Sequence, residues 1–381
     1  MKILADEQIP FVKEAFDGIA EIVLCNGRSI VPANLKDIDV LLVRSVTTVN
    51  SRLLENSSIK LVGTATSGID HIDIEYLQKN NIAFVSAHGS NARSVVEYVL
   101  SSLSVLGLLD AGSGNSPVFG IIGYGRIGSL LHQVLEYLDI NCLINDPPLA
   151  ENSSAYKFYD LEKIAKSDII SLHVPYTTTG KYPTHNLINE QFLNKLVPDI
   201  TLINTARGGV VDENALKTFM RNHPDARLVL DVWDNEPAID RELLQLSAIA
   251  TPHIAGYAYD AKIRATKILY DAVCAYFNCD ILWDGCVNLM RTTTRNIAIN
   301  ESQSLTEAIP LLIPGHYDVR SDAIALHRLK DIDAEQAKIE FDLLRKDYPV
   351  RREFSATTIR LSAQQSGFAA RLQGIGFGVK L

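Results

Sequence analysis

The stretch VFGIIGYGRIG, residues 118–128, constrains the fold more than any other part of the sequence. It begins with a short apolar run, places glycines at the spacing G-x-G-x-x-G, and continues into residues whose apolar positions recur at helical period. A strand, a glycine turn and a helix in that order predict a dinucleotide-binding unit, because the free amides at the helix N-terminus and the bare glycine backbone can hold a pyrophosphate. The cofactor contacts expected from this stretch are Gly123, Gly125, Arg126, Ile127 and Gly128.

A carboxylate follows the next predicted strand at the distance that such a unit requires. The apolar run at residues 140–145 ends in Asp146, about 18 residues after Gly128. A carboxylate there binds the ribose hydroxyls of NAD and repels the additional phosphate of NADP. The alternative is that Asp146 only begins a turn before Pro147 and Pro148. The sequence therefore predicts NAD as the cofactor.

The composition excludes several classes of protein. The chain has 381 residues, of which 47% are hydrophobic and 21% charged, as in globular proteins of two or three domains. A net charge of -9 disfavours nucleic-acid binding, and no apolar run is long enough for a membrane span. Acidic residues near the N-terminus disfavour a signal peptide, and the five cysteines lack metal-ligand spacing. We expect a cytoplasmic protein without a bound metal.

Short apolar runs alternate with helical patterns along most of the chain, which predicts an α/β fold with parallel sheets. Five strands are expected before residue 90. Six more, from residue 118 to 252, would complete a doubly wound sheet. A long helix at residues 94–109, broken by the loop AGSGNSP (111–117), marks a boundary, and another helix is expected at residues 259–277. Beyond residue 284 we expect a small α/β domain that serves dimerisation or regulation.

Three polar segments follow successive strands of the second predicted sheet and contain Arg207, Glu236 and His253. The carboxyl ends of parallel strands are where such sheets bind ligands. A His can take the proton of a hydroxyl as hydride departs, a neighbouring carboxylate stabilises the imidazolium, and a guanidinium binds a substrate carboxylate in two places. Taken singly, each residue could instead belong to a loop or a turn. Together they indicate oxidation of a 2-hydroxy acid.

The segments GYGRIG, NTARGGVVD, DVWDNEP and TPHIAGY resemble the D-isomer-specific 2-hydroxyacid dehydrogenases. In that family the positions of Arg207, Glu236 and His253 hold the catalytic residues. Further segments are similar to one branch of the family over essentially the whole chain: MKILADEQIP, VRSVTTVN, GTATSGIDHID, NARSVVEYV, YDVR and FDLLRKDYPVRREF. His88, Ser90 and Val174 depart from the residues common in that branch.

The resemblance implies an activity and a set of contacts. The activity is NAD-dependent oxidation of 4-phospho-D-erythronate to (R)-3-hydroxy-2-oxo-4-phosphooxybutanoate, in the biosynthesis of pyridoxal 5′-phosphate (vitamin B6). The implied cofactor contacts are Asp146, Val174, Asp231 and Gly256, and the implied substrate contacts are Ser45, Thr66 and Tyr257. Arg44, at the end of a predicted strand, is our candidate for the substrate phosphate. A basic residue of the terminal domain or of a partner subunit is the alternative.

The resemblance also implies an interrupted architecture. Residues 1–92 and 256–284 would form a flavodoxin-like substrate-binding domain, residues 93–255 a Rossmann-type NAD-binding domain, and residues 285–381 a domain that forms a homodimer. Two other functions remain open: a dehydrogenase for another phosphorylated 2-hydroxy acid, such as 3-phosphoglycerate, and a non-catalytic NAD-sensing protein on the same scaffold.

Overall fold

The structure is a computed structural model that describes residues 1–109, 117–287, 295–300 and 302–381. Contacts divide the chain into two compact units. The first unit comprises Met1–Asn91 and Ala258–Thr292, and the second comprises Ala92–Tyr257 and Thr293–Leu381. Most of the predicted loop at 111–117 lies outside the described residues.

A five-stranded parallel sheet with the order β2-β1-β3-β4-β5 forms the centre of the first unit. Its strands are β1 (Lys2–Asp6), β2 (Glu21–Cys25), β3 (Val40–Val43), β4 (Leu61–Thr64) and β5 (Ala83–Ser86), with helices α1 (Val12–Phe16), α2 (Ser51–Leu54) and α3 (Ile74–Lys79) between them. Every residue of β3 and β4 is buried, as expected for parallel strands covered on both faces. The flavodoxin-like prediction is confirmed.

A six-stranded parallel sheet with the order β11-β10-β9-β8-β6-β7 forms the centre of the second unit. Its strands are β6 (Phe119–Ile122), β7 (Cys142–Asn145), β8 (Ile169–Leu172), β9 (Thr201–Asn204), β10 (Arg227–Leu230) and β11 (Ile249–Ala250). The helices of this part are α4 (Ala92–Val105), α5 (Arg126–Tyr137), α6 (Pro147–Ala150), α7 (Leu161–Ile164), α8 (Glu190–Leu193), α9 (Glu213–Asn222) and α10 (Arg241–Leu246). The predicted doubly wound sheet is confirmed, and its strand order reverses between β6 and β8, where such sheets bind ligands.

The helix expected at residues 94–109 is shorter than predicted because a glycine ends it. Gly107 has a φ of +69°, and its amide donates to the carbonyl of Ser104. The next amide, that of Leu108, donates to the carbonyl of Leu103. These two bonds form a Schellman motif, which satisfies the last carbonyls of the helix and turns the chain away from its axis.

The long helix α11 (Tyr259–Phe277) returns the chain to the first unit and has the predicted bounds. Leu269, Tyr270 and Val273 on one face are fully buried. They pack into the same cluster as Ile3 and Phe16 from the beginning of the chain. The first unit is therefore assembled from two segments that are distant in sequence.

The segment from residue 295 onward, here called the C-terminal segment, packs within the second unit. It contains a parallel sheet of β12 (Arg295–Ala298), β13 (Thr357–Arg360) and β14 (Gly378–Lys380), with α12 (Leu305–His316), α13 (Val319–His327), α14 (Ala334–Lys346) and α15 (Ala369–Ile375). Buried polar bonds connect it to α4: Ser94 Oγ donates to Glu353 at 2.8 Å, and the amide of Phe354 donates to Glu97 at 2.9 Å. Burial raises the pKa of the Glu97 carboxyl well above its usual range.

Within the described residues, no helix has the length and apolar character that crossing a membrane requires.

Candidate active site

The three glycines after β6 differ in their surroundings. Gly123 has a φ of +94°, which favours glycine. A Cβ at Gly128 would lie 2.0 Å from the carbonyl oxygen of Gly123, so the helix packs directly on the turn. A Cβ at Gly125 would meet no protein atom within 4 Å, so packing alone does not require a glycine there. A tight turn, a helix packed directly on it and open space at the middle glycine fit a turn that a dinucleotide approaches closely.

The helix after this turn presents uncapped amides. Gly125 is the N-cap residue of α5, and no side chain caps this end. Arg126 is exposed at the first helical position, whereas Ile127 packs against the core. The N-terminus of a twelve-residue helix thus offers free N–H groups and the positive end of its dipole to an anion.

Asp146 is both a turn residue and a neighbour of the glycine turn. One carboxylate oxygen caps α6 by accepting from the amide of Leu149 at 3.0 Å. The other accepts from the amide of Tyr124, inside the glycine turn, at 2.8 Å. On the other side of the turn, a Cβ at Gly123 would lie 2.8 Å from the amide nitrogen of Val174. The structure therefore brings Asp146 and Val174 to the two sides of one turn.

His253 and Glu236 form a hydrogen-bonded pair. Nδ1 of His253 lies 2.9 Å from Oε2 and 3.1 Å from Oε1 of Glu236. The amide of Trp233 also donates to Glu236 Oε1, at 3.0 Å. With Nδ1 engaged by the carboxylate, Nε2 is the ring nitrogen directed away from it, and both side chains are partly buried.

Opposing effects set the pKa of Glu236. Burial of the carboxyl favours its neutral form, while the charge of His253, their hydrogen bond and the charge of Arg345 favour the carboxylate. The second group of effects is larger, so the pKa of Glu236 lies below its usual value. The pair therefore contains a carboxylate at neutral pH.

Asp231, at the end of β10, holds the loop that carries His253. Its side chain is buried and accepts from the Thr251 hydroxyl at 2.6 Å and from the amides of Ile254 and Ala255 at 2.7 and 2.9 Å. The amide of His253 donates to the main-chain oxygen of Asp231 at 2.7 Å. His253 has a φ of +58°, which costs free energy for a residue with a side chain and persists only where surrounding bonds impose it.

Arg207 follows β9 beside the segment that carries Glu236. Its guanidinium donates to the main-chain oxygen of Ala206 at 2.7 Å, and the side-chain amide of Asn204 donates to the main-chain oxygen of Arg207 at 2.9 Å. A Cβ at Gly208 would lie 2.0 Å from the carbonyl carbon of Trp233, so the two strand-end loops are in direct contact. The predicted trio of Arg207, Glu236 and His253 thus comes from three neighbouring loops of one sheet.

Arg44, Ser45 and Thr66 lie at strand ends of the first unit. Arg44 Nε donates to the fully buried Asp6 at 3.0 Å, and Ser45 beside it is exposed. The Thr66 hydroxyl is engaged within its own loop, donating to the carbonyl of Gly68 at 2.8 Å. These residues share the carboxyl edge of one sheet.

Sequence reasoning assigned no role to Arg345, which the structure places next to Glu236. Its Nη2 donates to the hydroxyl of Tyr257 at 3.0 Å, and its Nη1 lies 4.0 Å from Glu236 Oε2. Tyr257 and Gly256 directly continue the loop of His253 and are partly buried. A basic residue of the terminal domain was the predicted alternative to Arg44 for the substrate phosphate, and Arg345 lies in that domain, in the segment FDLLRKDYPVRREF.

No cluster of three or more His, Cys, Asp or Glu side chains suited to a metal ion occurs in the part of the chain that the structure describes.

Comparison with known proteins agrees with this geometry. Residues 113–255 match the family model "D-isomer specific 2-hydroxyacid dehydrogenase, NAD binding domain", and residues 289–376 match a separate "Domain of unknown function (DUF3410)".

Among solved structures, D-lactate dehydrogenase from Aquifex aeolicus with NAD and lactic acid is 27% identical to this chain and superposes with a TM-score of 0.59. The match covers 73% of this chain and 96% of that one. NAD-bound 3-phosphoglycerate dehydrogenase from Entamoeba histolytica, 23% identical, shares the fold with a TM-score of 0.61, covering 73% and 95%.

Curated relatives match along the whole chain. Erythronate-4-phosphate dehydrogenase from Hahella chejuensis is 42% identical over 379 residues, covering 100% of this chain and 99% of the relative. The enzyme of the same name from Chromohalobacter salexigens is 39% identical over 382 residues, with coverage of 100% and 99%. This chain therefore belongs to the erythronate-4-phosphate dehydrogenase family, within the D-isomer-specific 2-hydroxyacid dehydrogenases.

Proposed function

We propose that this chain catalyses the NAD-dependent oxidation of 4-phospho-D-erythronate to (R)-3-hydroxy-2-oxo-4-phosphooxybutanoate, a step of pyridoxal 5′-phosphate biosynthesis. The observation that carries the proposal is the His253–Glu236 pair, with a carboxylate at neutral pH, at the strand ends of an NAD-binding sheet. Family membership supports the choice of substrate.

The residues around the glycine turn fit NAD. Gly123, Gly125, Arg126, Ile127 and Gly128 would hold its pyrophosphate, because the turn is open at Gly125 and the helix amides are uncapped. Asp146 would bind the ribose, and Val174, Asp231 and Gly256 would border the remainder of the cofactor. When bound, NAD supplies the hydride acceptor for the oxidation.

The chain's own residues supply the acid–base chemistry and the orientation. His253 would accept the proton of the substrate's C2 hydroxyl at Nε2, as the hydrogen on C2 leaves as hydride. Glu236 holds the ring through Nδ1 and stabilises the imidazolium. Arg207 would bind the substrate carboxylate with the planar fork of its guanidinium and keep C2 in position.

Further substrate contacts are proposed beyond this trio. Arg44, Ser45 and Thr66, at strand ends of the first sheet, and Tyr257, after His253, would be substrate contacts, as the family resemblance implies. We assign substrate binding to residues 1–92 and 256–284, NAD binding to 93–255 and dimerisation to 285–381. The division of the chain into two discontinuous compact units supports the first two assignments.

Reduction of NAD by different acids tests the proposed substrate. We expect 4-phospho-D-erythronate to give a kcat/KM at least about 10- to 100-fold above that of D-erythronate, since losing one charged hydrogen bond to the phosphate alone has that effect. It should also exceed that of 3-phosphoglycerate, whose phosphate lies one carbon nearer to the carbon that is oxidised. The measurement is steady-state absorbance of NADH. A preference for 3-phosphoglycerate would show that the substrate is another phosphorylated acid, and NAD binding without turnover of any acid would favour a sensing role.

Replacement of His253 tests its role as the base. His253→Asn is expected to lower kcat about 10²- to 10⁴-fold, the range of general acid–base catalysis. The exposed His185, replaced by Asn in the same way, provides the control and should retain wild-type kcat. A kcat for His253→Asn within a few-fold of wild type would contradict the assignment.

The lowered pKa of Glu236 makes the free energy of unfolding depend on pH in a defined direction. Its folded pKa lies below the value of 4.5 for a free Glu, so the stabilisation that it contributes is complete above about pH 5 and is lost as the pH falls through the folded pKa. The difference in free energy of unfolding between wild type and Glu236→Gln should therefore shrink from pH 6 toward about pH 3, as measured by urea denaturation. Glu335→Gln, at an exposed helix position, is the control for the effect that low pH has on any exposed Glu. A difference that stays constant over this range would contradict the lowered pKa.

The C-terminal segment is proposed as the contact of a cytoplasmic homodimer. Several of its large apolar side chains are more than half exposed, which supports a partner surface: Leu311, Ile324, Ile339 and Val350. Light scattering should give the mass of two chains, and Leu311→Asp together with Ile324→Asp should lower it to that of one. A wild-type protein that remains monomeric at micromolar concentration would rule the dimer out.

A further inference from the structure

Arg345 is a charged side chain that the C-terminal segment places beside the His253–Glu236 pair. We propose that Arg345 binds the phosphate group of the substrate and thereby selects the phosphorylated acid. The proposal rests on the proposed function, because it assumes a phosphorylated 2-hydroxy acid.

The position of Arg345 is fixed by the packing of its helix. It lies in the last turn of α14, four residues after Phe341, which is completely buried. Residues four apart share one face of a helix, so the burial of Phe341 also directs Arg345 inward. Its side chain is only 22% exposed, which is low for an Arg without a structural or binding role.

The contacts of Arg345 orient its guanidinium but do not use all of its donors. Nη2 donates to the Tyr257 hydroxyl, and the guanidinium carbon lies 5.8 Å from the centre of the Tyr257 ring. The Nε–H group is buried and has no acceptor among the described residues. A phosphate oxygen is a strong acceptor for those guanidinium donors that Tyr257 does not engage.

Glu236 leaves the charge of Arg345 available to an anion. The Glu236 carboxylate accepts from His253 and from the Trp233 amide, and its 4.0 Å separation from Arg345 is longer than a hydrogen bond. Arg44 differs, because it makes a direct 3.0 Å ion pair with the fully buried Asp6. An anion at Arg44 would therefore share the guanidinium with a buried carboxylate that already accepts from its Nε.

The location of Arg345 in the chain is also consistent with selectivity. The phosphate is bound to C4, two carbons from C2, which is oxidised. The residue that binds the phosphate is therefore expected close to the His253–Glu236 pair but not within it. Arg345 belongs to the part of the chain, residues 289–376, that matches a family model separate from that of the NAD-binding domain. A group that distinguishes this substrate from other 2-hydroxy acids is expected outside the part that the wider family shares.

Steady-state kinetics with 4-phospho-D-erythronate and D-erythronate test the assignment. In Arg345→Met, the ratio of the two kcat/KM values should fall about 10- to 100-fold relative to wild type, because the charged hydrogen bond to the phosphate is lost. Arg345→Lys should retain part of the ratio, since it keeps the charge without the planar fork. Lys346→Met, at the exposed neighbouring position of the same helix, is the matched control and should leave the ratio unchanged.

Inorganic phosphate gives a second measurement. As a competitive inhibitor of D-erythronate oxidation, it should bind about 10-fold more weakly to Arg345→Met than to wild type. Unfolding temperature and NAD binding check that each variant is folded, and Arg345→Lys replaces the Met variant if that one is not.

The outcomes separate this inference from the proposed function. If wild type prefers the phosphorylated acid but both kcat/KM values fall by the same factor in Arg345→Met, Arg345 only positions Glu236 and the assignment is wrong. An unchanged ratio together with unchanged phosphate inhibition also overturns it. A wild-type enzyme with no preference for the phosphorylated acid would overturn the proposed function, and the assignment with it.

Discussion

The buried carboxylate of Asp231 is the constraint on which the His253–Glu236 pair depends. It accepts from one hydroxyl and two amides of the loop after β11, and this loop holds His253 at a φ of +58°. The indole of Trp233 adds a 3.0 Å hydrogen bond to the carbonyl of Thr251, which ties the two strand-end loops together. Burial raises the pKa of Asp231, while these donors and the nearby His253 favour its ionised form. The strained backbone at His253 is thus maintained by bonds outside the imidazole itself.

Two cations accompany the carboxylates of this region, and both belong to the C-terminal segment. Arg345 faces Glu236, and the buried Arg351 stacks 4.4 Å from the ring of Tyr317 while it donates to the carbonyl of Ala255, two residues after His253. The C-terminal segment therefore contributes charge and hydrogen bonds to the loop that carries His253. Its contribution to the second unit is electrostatic as well as apolar.

The sequence predicted most of the fold because its local signals agreed with the tertiary structure. Parallel strands buried on both faces are short apolar runs, and the predicted helix at Tyr259–Phe277 has the observed bounds. Arg207, Glu236 and His253 could be proposed as a group because strand ends of a parallel sheet lie at one edge. Helix ends were less accurate, since the Schellman turn at Gly107 depends on local geometry rather than on periodicity. Arg345 could not be found in this way, because more than 100 residues separate it from Glu236.

By itself, the sequence determined the class of fold, the glycine turn and the identities of the trio, because these depend on spacing within short segments. Only the tertiary structure decided which partners each charged group has. In the folded chain Arg44 pairs with Asp6, and the Asp231 carboxylate accepts hydrogen bonds from the loop of His253. Arg345 lies beside Tyr257 and Glu236. Charge interactions depend on distance and burial rather than on separation along the chain, and both are set only when the chain has folded.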